Sequence, residues 1–291
     1  MLPIIVMTRN EPEFLKQCIS SIVSTVSLCY HIYIVDNAST SPSQKKLLRQ
    51  LDFNENVTVV YNLKNNWVLG LHKTQDYIKL NYESEYFFLT DGDIDFSNCM
   101  DGKCWLSYLV EKMNDNHAVG KVGLSLNWGL ISTDETFKDI YEQELSLYNE
   151  DKKIDELYVS QVDTTATLFR KNWSVDRSDR LYPLHINYLK PELYSCRTPK
   201  NINVIHLGWN NYHRGVLDKK SIDEKVLCFT LVGGHIKKSI LIQASNRVRL
   251  FNKVFATSIK RFWAIRKYFY MIKYCLSKIR RGFFGHTSTN G

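Results

Sequence analysis

Short apolar runs separated by longer amphipathic segments set the rhythm of the first hundred residues. "PIIVM" (3–7), "HIYIVDN" (31–37), "VTVVY" (57–61) and "YFFLT" (86–90) are apolar throughout rather than alternating. That is the pattern of strands covered on both faces. Between them, "EPEFLKQCISSIVSTV", "SPSQKKLLRQL" and "WVLGLHKTQDYIKL" place apolar residues at helical spacing, the second behind a Ser-Pro start. Strands alternating with helices of this length predict βαβ units and a parallel sheet.

The rhythm loosens after residue 100. "KCWLSYLVEKM" (103–113) and the acidic "DETFKDIYEQELSLY" read as helices, while "KVGLSL" (121–126), "TTATLFRK" (164–171) and "NVIHLGW" (203–209) read as strands. "NEDKKIDE" (149–156) is expected to be a mobile loop.

Three predicted strands run into polar residues: Thr8-Arg9-Asn10, Asp36-Asn37 and Asp91-Gly92-Asp93. In open α/β sheets ligands bind outside the carboxyl ends of the strands, so these residues are expected on one binding edge. Asp91, Asp93 and Asp95 occupy alternate positions, and on an extended segment their side chains point the same way. Like charges this close raise one another's pKa or recruit a cation. Mg²⁺ or Mn²⁺ suits carboxylates that leave room for phosphate oxygens. A calcium loop is a poor alternative, because "DGDIDFSNCMDG" has Phe96 at its sixth position and Gly102 at its twelfth. Neither G-x-G-x-x-G nor GxxxxGK[ST] is present, so a bound nucleotide must be held by side chains and metal.

"IIVMTRNEPEFLKQCISSI", "YIVDNAST" and "YFFLTDGDID", in that order, resemble the family 2 glycosyltransferases, over roughly residues 3–210. "VIHLGW" (204–209) looks like the downstream histidine segment of that family. "KVGLSL", followed by "QVDTTATLFRK", looks like one bacterial branch of it. The resemblance implies a GT-A fold, α/β with a mainly parallel Rossmann-like sheet flanked by helices. Residues 1–98 would form the nucleotide-sugar half and 99–215 the acceptor half of that domain, with a basic helical tail over 216–291.

The resemblance also implies roles. Thr8, Arg9, Asn10 and Glu11 would line the nucleotide pocket, and Asp36 would accept from uracil or ribose beside Asn37 and Ser39. Asn65 and Gly70 match the family's donor-contact neighbourhood, and Asp91, Gly92 and Asp93 its D-x-D. Asp93 would bind the metal directly, with Asp91 and His206 as further ligands, and Asp95 in support. The implied reaction is inverting, metal-dependent transfer of a sugar from a nucleotide donor of UDP type to a glycan or lipid-linked acceptor in bacterial surface polysaccharide or lipooligosaccharide synthesis. It needs one general base. The family's usual Glu-Asp pair is represented only by Glu150-Asp151, on the wrong side of "VDTTATLFRK", which leaves Asp163 first, with His185 and Glu192 as alternatives. A sugar-phosphate nucleotidyltransferase would also use paired carboxylates on a parallel sheet, but "MTRNEPEF" lacks that class's glycine-rich opening. A non-catalytic nucleic-acid-binding protein would leave the aspartates idle.

Charge separates the tail from the body. Up to Glu224 there are 24 Lys and Arg against 30 acids; from Lys225 onward there are 14 basic residues and no acid. Aromatic and aliphatic residues interleave with the basic ones from Arg247 to Arg281, with Arg266 and Lys273 falling inside the apolar stripe. Such helices lie in membrane interfaces, and an anionic membrane is expected as the tail's partner rather than nucleic acid. The seven cysteines form no CxxC pair, which suits free thiols in a reducing compartment. The N-terminus lacks a signal-peptide pattern and no apolar run reaches about 18 residues. The expected location is the cytoplasm, peripheral on the inner face of the cell membrane.

Overall fold

In the computed structural model, residues 1–129, 131–171, 193–209 and 219–284 are described. They fall into two compact units, one within residues 1–213 and the other within 214–284.

The first unit is built on a nine-stranded sheet. Its first four strands are β1 (Leu2–Thr8), β2 (Tyr30–Asp36), β3 (Val57–Tyr61) and β4 (Tyr86–Asp91), all parallel and ordered β3-β2-β1-β4. The runs of β1, β2 and β4 are buried as the pattern predicts, with Ile4, Val6, Ile32, Ile34 and Phe88 completely inaccessible. Burying each such side chain stabilises the fold by about 1.5–3 kcal/mol. Strand β3, at the sheet edge, buries Val57 and Val59 and leaves Thr58 and Tyr61 exposed. The interleaved helices are α1 (Pro12–Thr25), α2 (Pro42–Leu51) and α3 (His72–Asn81). Pro at the first helical position of α1 and α2 costs no hydrogen bond, and Ser41 caps α2 by accepting from Gln44 N. Leu15, Cys18, Ile19 and Ile22 form the buried face of α1.

Register fixes what the strand ends bring together. Thr8 lies opposite Asp36, and Met7 opposite Asp91. Helix α4 (Trp105–Asp115) follows β4, and Trp105 is buried against Phe88 and Phe96.

Several predicted elements are divided or shortened. Residues 67–80 begin as a 3₁₀ turn over Trp67–Leu71 before α3 starts. The run 121–126 splits at Leu124 into β6 (Val119–Gly123), in the large sheet, and β7 (Ser125–Leu126), in a small one. The acidic segment opens as a 3₁₀ turn and forms α5 over Lys138–Leu145. The expected loop 149–156 instead contributes β8 (Lys153–Ile154), which pairs with β9 (Leu157–Val159) at the sheet edge around Asp155, φ 55°. Lys112 holds that hairpin through Asp155 and Glu156.

The remaining strands of the large sheet are β10 (Thr167–Arg170) and β11 (Tyr194–Arg197). β10 enters between β4 and β6 antiparallel to both, so the parallel order of the N-terminal half stops there. A three-stranded sheet, β5 (Ile94–Asp95), β12 (Asn203–His206) and β7, pairs His206 with Ile94. Through that pairing a histidine more than a hundred residues away reaches the end of β4.

The second unit is helical: α6 (Lys219–Leu231), α7 (Lys238–Gln243) and α8 (Asn246–Phe284). Among the described residues no helix is long and apolar enough to cross a membrane. All seven cysteines are free thiols.

Candidate active site

The site forms where β1, β2 and β4 end. After β1, Thr8 Oγ1 donates to Glu11 Oε1 at 3.2 Å and accepts from Gln44 Nε2 at 3.1 Å. Arg9 N also donates to Glu11 Oε1. Asn10, at φ 54°, joins the β1 and β2 loops: its N–H donates to Ser39 Oγ, and its Oδ1 accepts from Thr40 N and Ser41 N.

Asp36 is buried, and Ser39 occupies both its oxygens, the backbone N–H on Oδ2 and the hydroxyl on Oδ1. In this arrangement it organises the 36–39 loop. Asn37 donates to Trp67 O and accepts from Asn62 Nδ2 at 3.0 Å. Asn62 also donates to Gly70 O. A Cβ at Gly70 would overlap Asn37 and Asn62, so only glycine lets the three approach. Asn65 caps its own turn, accepting from Trp67 N.

The three aspartates of "DGDID" divide sharply. Asp95 accepts from Gln17 Nε2 at 2.8 Å and from the Ser97 N–H and hydroxyl, so both its oxygens are engaged. Asp91 accepts from Thr165 Oγ1 at 2.7 Å. Burial first, then the neighbouring Asp93 charge, pushes Asp91 up to about 6, against the lowering effect of Thr165. Burial and the charges of Asp93 and Asp91 also hold Glu11 well above the usual carboxylate range. Asp93 Oδ1 is buried and has no hydrogen-bond partner among the described residues. Asp93 Oδ2 lies 3.4 Å from His206 Nδ1, itself without a hydrogen bond, and the His206 ring stacks on Trp209. A Cβ at Gly208 would overlap Asp93 Oδ2, so that glycine makes room for the carboxylate. Gly92 N donates to Met7 O, holding the D-x-D backbone against β1.

Asp163 is exposed and accepts from Thr165 N at 3.0 Å, so one threonine links it to Asp91. His185 and Glu192 lie outside the described residues.

Among the described residues no three His, Cys, Asp or Glu side chains are gathered to hold a metal by themselves. The chemistry of the edge nevertheless fits a hard divalent cation. Two buried polar atoms, on Asp93 and His206, lack hydrogen-bond partners among the described residues, and burial, with the neighbouring negative charges, raises Glu11 and Asp91 above the usual carboxylate range. Such ions bind through one or two carboxylates and complete their shell with substrate phosphates and water.

Sequence reading passed over Asn62, Gln17, Gln44 and Gly208. Each acts on a residue distant in sequence or in an irregular turn, and no local spacing marks it.

The chain is similar in structure to the mannosyltransferase PcManGT from Pyrobaculum calidifontis, solved with GDP-Man and Mn²⁺. The identity is 12% and the TM-score 0.47, over 91% of this chain and 73% of that one. It is similar to S. aureus TarS 1-349 in complex with UDP-GlcNAc, at 11% identity and TM-score 0.46, over 89% of this chain and 71% of that one. GalNAc-T7 with UDP, GalNAc and Mn²⁺ matches at 10% identity and TM-score 0.48, over 79% of this chain and 48% of that one. No curated protein matches the chain. The model of glycosyl transferase family 2 matches residues 4–174, more than half of the sequence, and the chain belongs to that family of glycosyltransferases.

Proposed function

We propose that the protein transfers a sugar from a nucleoside diphosphate donor, a UDP-sugar, to an acceptor hydroxyl with inversion at the anomeric carbon. The observation that carries this reading is the unsatisfied Asp93–His206 pair beside Asp91, at the sheet edge where Thr8 and Asp36 also end. Asp93 would hold Mn²⁺ or Mg²⁺, with His206 and Asp91 beside it. The ion supplies Lewis-acid neutralisation of the diphosphate and a template for its orientation.

The chain's own residues do the rest. The Thr8–Glu11 and Asp36–Ser39 loops, joined by Asn10, form a rigid wall for the nucleoside. Asn37, Asn62 and Gly70 fix the neighbouring turn. Asp163 serves as general base: the acceptor oxygen forms its bond to the anomeric carbon as the bond to the diphosphate breaks. The proton passes to Asp163, and the electron pair leaves with the nucleoside diphosphate. The exposure of Asp163 and its link to Asp91 through Thr165 support that role. The resemblance and the basic tail favour a glycan or lipid-linked acceptor of a bacterial surface polysaccharide or lipooligosaccharide. The family assignment leaves the nucleotidyltransferase and non-catalytic readings without support.

The test is turnover against a panel of nucleotide sugars, with the anomer of the product read by NMR. Inverted product from a UDP-sugar, lost in Asp163→Asn, is expected. Retained configuration would sink the mechanism, and full activity in Asp163→Asn would move the base elsewhere.

A further inference from the structure

Helix α8 has one face that packs within its own unit and one that does not. On the packed face, Trp263 Nε1 donates to Leu231 O at 2.8 Å, at the end of α6. Gly233, at φ 71°, gives the indole room, since a Cβ there would meet Trp263 Cδ1 at 3.0 Å. Arg266 lies over the Trp263 and Tyr270 rings at 5.3 and 5.4 Å. The Trp263 indole is therefore engaged within the unit.

The other face is a continuous apolar stripe. Phe262, Ile265, Phe269, Ile272, Leu276 and Ile279 follow one another at steps of three and four residues. Each is between 55% and 72% exposed. At 1.5 Å per residue the stripe runs about 26 Å. Soluble monomers rarely leave contiguous apolar surface of this kind uncovered. Lys273 and Arg280, seven residues apart and both exposed, lie along one margin, and the exposed Arg261 stands at the other; Arg266 is drawn into the packed face.

We propose that this stripe docks on an anionic lipid surface, lying in the plane of the headgroups. The choice of occupant rests on charge. The helix holds 11 basic residues and no acidic one. A second copy is the rival, since steps of three and four also suit a coiled coil. Coiled coils set partners through opposite charges flanking the seam, and here the flanks offer only cations to one another. A single-stranded nucleic acid would neutralise the charge but leave six large apolar side chains in water. An anionic leaflet satisfies both halves: aliphatic and Phe side chains enter the acyl boundary while the basic margin meets lipid phosphates. This inference is independent of the enzymatic reading.

Vesicle flotation of the full chain tests it. Binding to phosphatidylglycerol–phosphatidylcholine vesicles is expected, falling in raised salt, with little binding to phosphatidylcholine alone. Ile265→Gln/Phe269→Gln weakens binding at least about tenfold. Lys273→Gln/Arg280→Gln weakens it about fivefold per charge. Helicity by circular dichroism verifies that the variants are folded. Equal flotation on neutral and anionic vesicles overturns the proposal. So does unchanged binding in Ile265→Gln/Phe269→Gln. A vesicle-free dimer by analytical ultracentrifugation that dissociates in that variant, with no flotation, assigns the stripe to a second copy. Saturable single-stranded RNA binding without flotation assigns it to nucleic acid.

Discussion

Asp95 and Asp93 sit two residues apart on the same strand end, yet their surroundings are opposite. Asp95 accepts at both oxygens, from Gln17 on one and from the Ser97 N–H and hydroxyl on the other. Asp93 has a buried oxygen with no donor among the described residues, and a histidine at 3.4 Å with which it makes no hydrogen bond. A buried carboxylate that the fold already satisfies stabilises the fold. One that the fold leaves unsatisfied costs stability and is poised for something not in the chain. Asp36 also accepts at both oxygens, from Ser39, which orders the 36–39 loop.

The largest effect that could break the comparison is on turnover. Asp93→Ala is expected to lower transfer by about 10²–10⁴-fold, the several kcal/mol that a bound ion supplies at ten-fold per 1.36 kcal/mol. Its melting temperature without added metal should stay level or rise, since the substitution removes a repelling charge and breaks no hydrogen bond. A variant that is active but less stable would place Asp93 with Asp95.

A geometric version follows at Gly208. A Cβ there overlaps Asp93 Oδ2, so Gly208→Ala must displace the carboxylate. A misplacement near one ångström costs up to about 10²-fold in rate, and kcat of Gly208→Ala should fall by ten- to a hundredfold, roughly. Gly102→Ala is the control. Its Cβ meets nothing within 4 Å, and at φ 63° it carries only backbone strain, about 1–2 kcal/mol of stability with kcat unchanged. Equal losses of activity in both would mean that Gly208 acts through the backbone.

How much of this contrast the sequence could carry depends on the range of the contacts. The four parallel strands and their order of appearance are legible because each run is apolar throughout and separated by helical spacing. The polar strand ends follow from that. The D-x-D is legible as chemistry, but which aspartate is free is not, because Gln17 lies on α1 and reaches Asp95 only in the fold. His206 is placed by β12 pairing with β5, a pairing of a two-residue strand that no periodicity announces. The insertion of β10 antiparallel to its neighbours and the break at Leu124 are likewise settled by long-range pairing. The hairpin at 153–159 hides behind charged residues that its ion pairs with Lys112 turn into anchors.

Asp95→Ala is the reverse substitution. It strands the Gln17 amide and the Ser97 donors, at a cost of about 1–3 kcal/mol. Urea unfolding should report that loss, while turnover per folded molecule stays near wild type. A larger fall in turnover than in stability would show that Asp95 reaches the donor.

The smallest effect concerns a cation that the fold has buried in the large sheet. Lys121, on β6, is inaccessible, lies 5.4 Å over the Phe169 ring and donates to Val162 O. Burial pushes its pKa down to about 7, with Asp163 opposing the shift and Arg197 adding to it. Below about pH 7 the lysine is protonated folded and unfolded alike and contributes no pH dependence. Between there and its unfolded value near 10.4, roughly, the unfolded chain binds the extra proton. Stability from this group therefore rises with pH across that window, by at most about 1.4 kcal/mol per unit. Lys121→Met should abolish that slope in urea unfolding at pH 7, 8 and 9, read as the difference from wild type. A slope that persists in the variant would mean that Lys121 stays charged when folded. The Val162 carbonyl and Asp163 would then satisfy it as fully as Gln17 and Ser97 satisfy Asp95, and a buried charge in this fold would be stabilising wherever donors or acceptors surround it.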